Sequence, residues 1–531
     1  VIGALLLAAA GHTEVAIANG AENSGFRPAE IRAPWTPSVI EDVDPYIPDP
    51  ALFGGNYAFD HFAGSSSVDY SGWIAASLSN GDILEVGLVP AWGASNSANG
   101  LWNLGLVRYT AASQRGIWTN AGNYGFYADE YLVYPNIDPP PYQYLRDVKV
   151  QNGWIYILVD VQQQNQQGLG RQDVRIIQVR EDGSSFTEWP VFGYPPVGGD
   201  DPEDFYGSQM VPMSSDRMIV AATGYDTFGA FVAVSRLAIL GNGAVSLDNG
   251  WGAPYGGDGS FDRLIHYYAP SDYCAAGLFC SATAGFAVTQ TGGASVDFYV
   301  AGSRNWDGDN WDPYALKISS ETGNIKPEFT PDGWSSAPFD EPNSHGTDYA
   351  AGLYVYQNEV YLAAQVDRGC HPGIGVAKLD GATGEYNEAF GDGGKIVFGG
   401  VSFDDPGCSN FPYDHIPLAL SATGGRLGIV GYNHWTDQGS AEHFDPMLAV
   451  VDAVGGSVLS FGRYPARRAD GSRLGDAILG SVFGGPSPAS PFTVGGQGRD
   501  ESTGNRLSFL VGRFIPVSSD RIFASNMGGN P

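Results

Sequence analysis

One structural phrase recurs seven times along the 531 residues, and few folds can accommodate it. The phrase is strand, short turn, strand, longer loop, strand, short turn, aromatic strand. Its third strand is the easiest to align: LGLVRY, VRIIQV, AVSRL, YALKI, GVAKL, LAVVD and FLVGRF. A basic or polar position in it falls at Arg108, Gln178, Arg236, Lys317, Lys378, Val451 and Arg513, at intervals of 58 to 81 residues. A constant core with variable spacing is what loop insertions on a fixed scaffold produce. The second strand repeats as ILEVGL, IYILVD, MIVAAT, FYVAGS, VYLAAQ, LGIVGY and FTVGGQ, usually after a Gly-, Asn- or Asp-rich hairpin turn such as SNGD, QNG or ATGG. The fourth brings an aromatic and often a Gly, as in FTEWPVFG, DNGWG, EAFGDGG and LSFG.

A four-stranded antiparallel sheet cannot bury both faces alone. Packing such sheets around an axis solves that problem and leaves only short edges exposed. The expected fold is therefore all-β, a single propeller of about seven four-stranded blades, with six to eight left open because the first two units end irregularly. A parallel β-helix is the competing architecture, but its coils repeat at far shorter intervals. Composition agrees with the propeller. The chain holds 74 Gly and 34 Pro spread along its length and 13% aromatics, a mixture suited to many short strands and few helices.

The unit resembles the delta-sixty repeat of bacterial exported proteins. The closest copy is GIGVAKLDGATGEYNEAFGDGGKIVF (373–398), followed by YALKISSETGNIKPEFTPDGW (314–334) and AVSRLAILGNGAVSLDNGWG (233–252). The resemblance spans roughly residues 72–526 and implies a propeller but no particular reaction, because such repeats are structural parts. A weaker similarity, carried by ALKISSETGNI, is to quinoprotein-type propeller repeats, whose docking Trp occurs only irregularly here.

At the N-terminus, VIGALLLAAAGHTEVAIA holds a ten-residue apolar run followed by an A-x-A site at Ala16-Ile17-Ala18. It matches the later part of a secretory signal, with an N-terminal strand or short helix as the alternative. The resulting division is a truncated signal peptide at 1–18, an extended segment at 19–56 and the propeller at 57–531, in a secreted or periplasmic protein. The four cysteines fit an oxidising compartment: Cys274 with Cys280 as a small clasp, and Cys370 with Cys408 as the second pair. Net charge is −31, from 27 basic and 58 acidic residues, which disfavours nucleic acid and anionic lipid as partners. No segment is long and apolar enough to span a bilayer.

In such blades the turns between strands one and two, and three and four, share one rim. The loops between strands two and three share the other rim with the crossovers to the next blade. Nearly all long insertions belong to that second rim, including SRNWDGDNWDP, DRGCHPG, NHWTDQGSAEHFDP and FDDPGCSNFPYDH, and all four cysteines fall there. This is the expected working face.

Three constellations stand on it. Asp307, Asp309 and Asp312 alternate acids around a Gly, as hard-cation sites do, which makes calcium the one cofactor expected; a solvated turn is the bland reading. Trp306 and Trp311 flank them and could stack on a sugar ring or cover a neighbouring blade. The second is His434, Trp435, Asp437, Glu442, His443 and Asp445, with His345, His371 and His415 on neighbouring loops. Imidazoles with carboxylates can bind a transition metal or move protons, although loop histidines often only hydrogen-bond the backbone. The third is a set of acids just before the inner strands, Asp204, Asp348 and Asp414, with Asp147 in a similar place, which would ring a channel mouth or cap turns.

No G-x-S-x-G elbow, phosphate loop, dinucleotide fingerprint, haem C-x-x-C-H or sialidase S-x-D-x-G-x-x-W box occurs. The leading expectation is therefore a non-catalytic binding or scaffold propeller presenting its long-loop face to a polysaccharide or protein partner. The alternative is an enzyme using that face, either a polysaccharide hydrolase or lyase or a quinone-dependent dehydrogenase.

Overall fold

The computed structural model describes residues 46–49, 58–60, 71–90, 102–110, 118, 126–127, 131–134, 142–164, 170–192, 204–226, 229–248, 251, 253–254, 263–267, 282–289, 297–305, 311–330, 333–339, 346–402, 413–436, 441–466, 475–485, 487, 490–500 and 506–516. Every regular element among them is a strand, and the strands form seven antiparallel blades in a ring: a seven-bladed β-propeller.

The second strands foreseen from the repeat are Ile83–Pro90, Trp154–Gln164, Arg217–Asp226, Phe298–Asn305, Glu359–Val366, Arg426–Thr436 and Phe492–Asp500. The third strands are Trp102–Tyr109, Gly170–Arg180, Gly229–Ile239, Trp311–Ile318, Gly373–Asp380, Glu442–Asp452 and Arg506–Pro516. The inner strands, Ser71–Ser77, Tyr142–Gln151, Asp204–Ser214, Phe286–Thr289, Tyr349–Tyr356, Tyr413–Thr423 and Ala477–Gly484, each touch the inner strand of the next blade. Ser71–Ser77 of blade one also packs on all three strands contributed to blade seven by the C-terminal segment, which closes the circle.

Blade seven takes its outer strands from the other end of the chain. Tyr46–Pro48 and Ala58–Asp60 both pair antiparallel with Arg506–Pro516. Arg513 grips Asp49 at 2.7 Å, and Tyr46 lies buried against Phe492. Part of the expected 19–56 extension is thus a blade strand. Joining the two chain ends in one sheet leaves the ring without an open seam.

The fourth strand differs from its expected place in blades four and five. There the aromatic-Gly stretch is a tight turn, and the strand follows it as Trp334–Ser336 and Lys395–Phe398. Phe329 and Phe390 in those turns are fully buried, edge-on to Tyr299 and Tyr361. The aromatic signal was real, but it marks a plug under the blade's edge.

Burial lies between blades. One apolar cluster joins blades two and three through Phe192, Phe205 and Phe231, another joins three and four through Trp251, Phe298 and Trp334, and others follow around the ring. Each such buried side chain contributes about 1.5–3 kcal/mol, so neighbouring sheets stabilise one another.

The inner strands carry a repeated irregularity. In six blades the pairing of strands one and two slips by a residue, at Gly72/Ile74, Leu145/Asp147, Gly207/Gln209, Ala350/Gly352, Pro417/Ala419 and Leu479/Ser481. A bulge there bends the inner strand and re-aims the side chains beyond it, toward the rim that carries the long loops.

Candidate functional site

The long-loop rim of blades five and six brings several candidates together. Asp414 enters the first strand of blade six and stands directly opposite His434 on the second strand. Side chains directly opposite in an antiparallel pair share a face. Asp414 Oδ2 lies 3.1 Å from His434 Nδ1, and its Oδ1 lies 2.7 Å from Nδ1 of His371. His371 comes from blade five, where Gly369–His371 pairs with Val401–Ser402 in a small two-stranded ribbon outside the main sheet. That ribbon closes tightly: Gly400, at φ +61°, would place a Cβ 2.5 Å from the His371 carbonyl oxygen. A side chain there would push the imidazole off Asp414. Next to it, Cys370 is disulfide-bonded, with its partner outside the described residues.

Glu442, at the start of the third strand of blade six, extends the group. Its Oε1 lies 3.9 Å from His434 Nε2, and its side chain is 56% exposed. Phe444 stacks flat under the His434 ring, with centroids 5.1 Å apart and planes 19° from parallel. The four ionisable groups therefore run in alternation: Glu442, His434, Asp414, His371.

Their electrostatics follow from this order. Burial alone would raise the Asp414 carboxyl, but hydrogen bonds from His434 and His371, with the charge those rings carry when protonated, hold it below the usual carboxylate range. The hydrogen bond to Asp414 raises His434 above its ordinary value against the opposing effect of burial, and the Asp414 and Glu442 charges add to the rise. Nδ1–H of each imidazole points at the same carboxylate, which leaves Nε2 for chemistry.

The opposite face of the same strands carries a second group. Trp435 Nε1 donates to Asp445 Oδ2 at 2.9 Å, and Arg463 NH1 lies 3.5 Å from that oxygen. The Arg463 guanidinium also lies over the rings of Tyr413 and Trp435, 4.9 and 5.4 Å from their centroids. His443 packs on Trp435 and lies 3.4 Å from Asp476. Trp435 is thus engaged by His443, Tyr413 and Arg463.

Other candidates are placed differently. His415 is buried between blades five and six, where its Nδ1 accepts the Gly400 N–H at 3.0 Å and burial drives its pKa down to about 4. It is a neutral core histidine. Asp147 accepts the N–H groups of Val148 and of Met210 in the next blade, at 2.8 and 2.7 Å. Asp348 accepts from Phe339 and Asp367, at 2.9 and 3.0 Å. Both carboxylates do the work of turn and blade caps. Asp204 begins the first strand of blade three, and its side chain lies outside the described residues.

Asp312 is buried on the third strand of blade four, opposite the buried Arg304, while Trp311 is half-buried beside it. Trp306, Asp307, Asp309, His345, Asp437, Cys274, Cys280 and Cys408 lie outside the described residues. Among the described residues no three His, Cys, Asp or Glu side chains are grouped to hold a metal ion.

Sequence reasoning missed Arg463, Asp476 and Tyr413. Arg463 follows the FG of blade six and Tyr413 immediately precedes Asp414, so both were adjacent to noted features. Their common neighbourhood arises from strand pairing and has no sequence signature.

No helix among the described residues is long and apolar enough to cross a membrane. No protein-family model matches this sequence, and no curated protein does. Solved structures resemble the chain in shape. A Trypanosoma rangeli sialidase in complex with the inhibitor DANA aligns at TM-score 0.39 and 7% identity, covering 72% of this chain and 56% of its own. An ulvan lyase of a polysaccharide lyase family aligns at 0.34 and 11%, covering 82% and 78%. An α-L-arabinanase from Penicillium chrysogenum, complexed with arabinobiose, aligns at 0.37 and 10%, covering 88% and 96%. The chain thus spans little more than half the length of the sialidase, and at these values no residue role is carried over from any of the three.

Proposed function

We propose that this protein is an extracellular polysaccharide-acting propeller whose chemistry lies on the long-loop face of blades five and six. His371 and His434 are the proton-transferring groups, and Asp414 orients both. The observation that carries this reading is that one carboxylate holds two imidazoles, from two different blades, by the same ring nitrogen. A carboxylate on Nδ1 fixes the tautomer and directs acid–base work to Nε2. Extracellular placement is supported by the disulfide at Cys370.

Lyase chemistry fits this group better than hydrolysis. A glycosidase pair needs one carboxyl group kept protonated, whereas Asp414 is held ionised by its two partners. Removing a proton next to a sugar carboxylate needs a positioned base and a proton donor for the leaving oxygen, and imidazoles serve both roles. The polar, aromatic long loops support a carbohydrate as the substrate class. The test is incubation with a panel of uronate-containing and neutral polysaccharides, following the ultraviolet absorbance of unsaturated products and the release of reducing ends. Unsaturated product from a uronate polymer, abolished in His371→Ala and His434→Ala, supports the reading. Reducing ends without unsaturation would show hydrolysis instead.

A second reading, a binding propeller without catalysis, is favoured by one feature. Among the described residues His434 Nε2 is buried and has no hydrogen-bond partner, so this nitrogen does not itself meet a polymer on the rim. Under that reading the same polymers bind, by affinity electrophoresis, and stay intact.

A further inference from the structure

His434 Nε2 is the unfinished end of the cluster. Nδ1 is committed to Asp414, and Phe444 covers one face of the ring. Nε2 is buried and among the described residues makes no hydrogen bond, while the carboxylate of Glu442 stands 3.9 Å away. A buried ring nitrogen without a partner costs about 1–3 kcal/mol, so its retention beside a carboxylate calls for an explanation. The separation is one that a side-chain rotation of Glu442 closes, because this glutamate is mostly in solvent. Glu442 is therefore the group that can touch both the enclosed imidazole and a polymer lying on the rim.

We infer that Glu442 is the proton-delivering residue of this site, exchanging its proton with His434 Nε2 on one side and with the bound polysaccharide on the other. The inference rests on the lyase reading above and adds a residue and a direction to it. His371 takes the proton from the carbon next to the sugar carboxylate. The carbon–oxygen bond to the departing sugar breaks with its electron pair on oxygen, and a carbon–carbon double bond forms. Nε2–H of His434 passes its proton to the Glu442 carboxylate, which hands it to that oxygen, and His434 becomes neutral while its Nδ1–H stays on Asp414. His371 then releases the proton it took to solvent, and solvent returns one to His434 through the exposed Glu442. Charge and atoms balance without any further reactant.

Among the described residues, the groups facing His434 are few. Asp414 meets it from the first strand, Glu442 from the third, and Phe444 stacks on it. His371 reaches it only through Asp414, and His415 points away into the interface between blades five and six. A charge change at Glu442 should therefore be felt at His434 before any other imidazole.

The test is an NMR pH titration of the histidine ring protons in the free protein, which needs no substrate. Glu442→Gln is expected to lower the His434 midpoint by about 0.5–1 pH unit, the effect of one screened charge at this distance, and to leave His371 within about 0.2 unit. Asp414→Asn is the companion variant and should lower both midpoints. If Asp414→Asn moves both but Glu442→Gln moves neither, Glu442 has no part in the relay and the Asp414-centred reading stands. If Asp414→Asn also moves neither, the cluster itself is absent in solution and both readings fall. With an active polymer in hand, Glu442→Gln should cut kcat at least 10-fold with little change in KM, and an unchanged kcat would overturn the inference.

Discussion

Tyr361 in blade five donates its phenolic hydrogen to the carbonyl oxygen of Ala453 in blade six, 2.9 Å away. Tyr299 does the same from blade four to Gly381 in blade five at 2.8 Å, and Tyr156 from blade two to Gly243 in blade three at 3.1 Å. Each tyrosine lies on a second strand and reaches the tight turn between the third and fourth strands of the following blade. Burial, aided at Tyr361 by Glu359 and Asp452, pushes these phenols above their ordinary pKa, so they are protonated donors at neutral pH.

Removing one such bond leaves a buried carbonyl without its donor. Tyr361→Phe should destabilise the protein by about 0.5–1.5 kcal/mol, read as a lower denaturant midpoint with unchanged slope. A midpoint equal to wild type would mean that the carbonyl finds water and the bond adds nothing.

Gly431, in blade six, lies opposite the inner-strand bulge, and a Cβ built on it would sit 1.9 Å from the Ile416 carbonyl oxygen. Gly431→Ala must therefore push the inner strand away and shift Asp414 with it. Loss of about 1–3 kcal/mol of stability is expected, together with a weaker His434–Asp414 contact seen as a lower His434 midpoint. Wild-type stability would show that the strands do not pack as closely as described.

His415 and His434 act in opposite senses on acid stability, and Asp414 acts in the same sense as His415. The folded pKa of His415 is depressed to about 4, so between roughly pH 6.5 and 4 the unfolded chain binds a proton that the folded chain refuses, and stability falls as pH falls. His434 is raised, so its contribution is complete below its unfolded value and is lost as pH rises through its folded one. Asp414 is lowered, so its contribution holds above its unfolded value and disappears as pH falls through its folded one. His415→Asn should flatten the loss of stability between pH 6.5 and 4, an effect on the order of a few kcal/mol. Urea midpoints across that range would show it, and a slope unchanged from wild type would contradict the burial of His415.

The disulfide at Cys370 is expected to join Cys408, since Cys274 and Cys280 lie close enough in sequence to pair with each other. Non-reducing digestion and mass spectrometry should yield that linked peptide. A link from Cys370 to Cys274 or Cys280 would refute the pairing.

The architecture was legible because hydrophobic alternation and turn chemistry act locally. MIVAAT and AVSRL name adjacent strands whatever the rest of the chain does. The closure of blade seven was not legible, because YIP at 46–48 carries no repeat signature and gains its partner 466 to 470 residues later, at Phe514 to Pro516. The same holds for the site. The histidines and acids of blades five and six were visible as types on one rim, and the opposition of Asp414 and His434 follows from the hairpin between them. What no spacing could supply was the arrival of His371 from another blade, or the withdrawal of His415 into the core although it adjoins Asp414 in sequence.

The most direct measurement is turnover of a uronate polysaccharide by wild type and Asp414→Asn under identical conditions. If Asp414 orients both imidazoles, the neutral variant folds, binds the polymer and forms unsaturated ends at least 100-fold more slowly. Equal rates in the two proteins would place the chemistry elsewhere on the propeller.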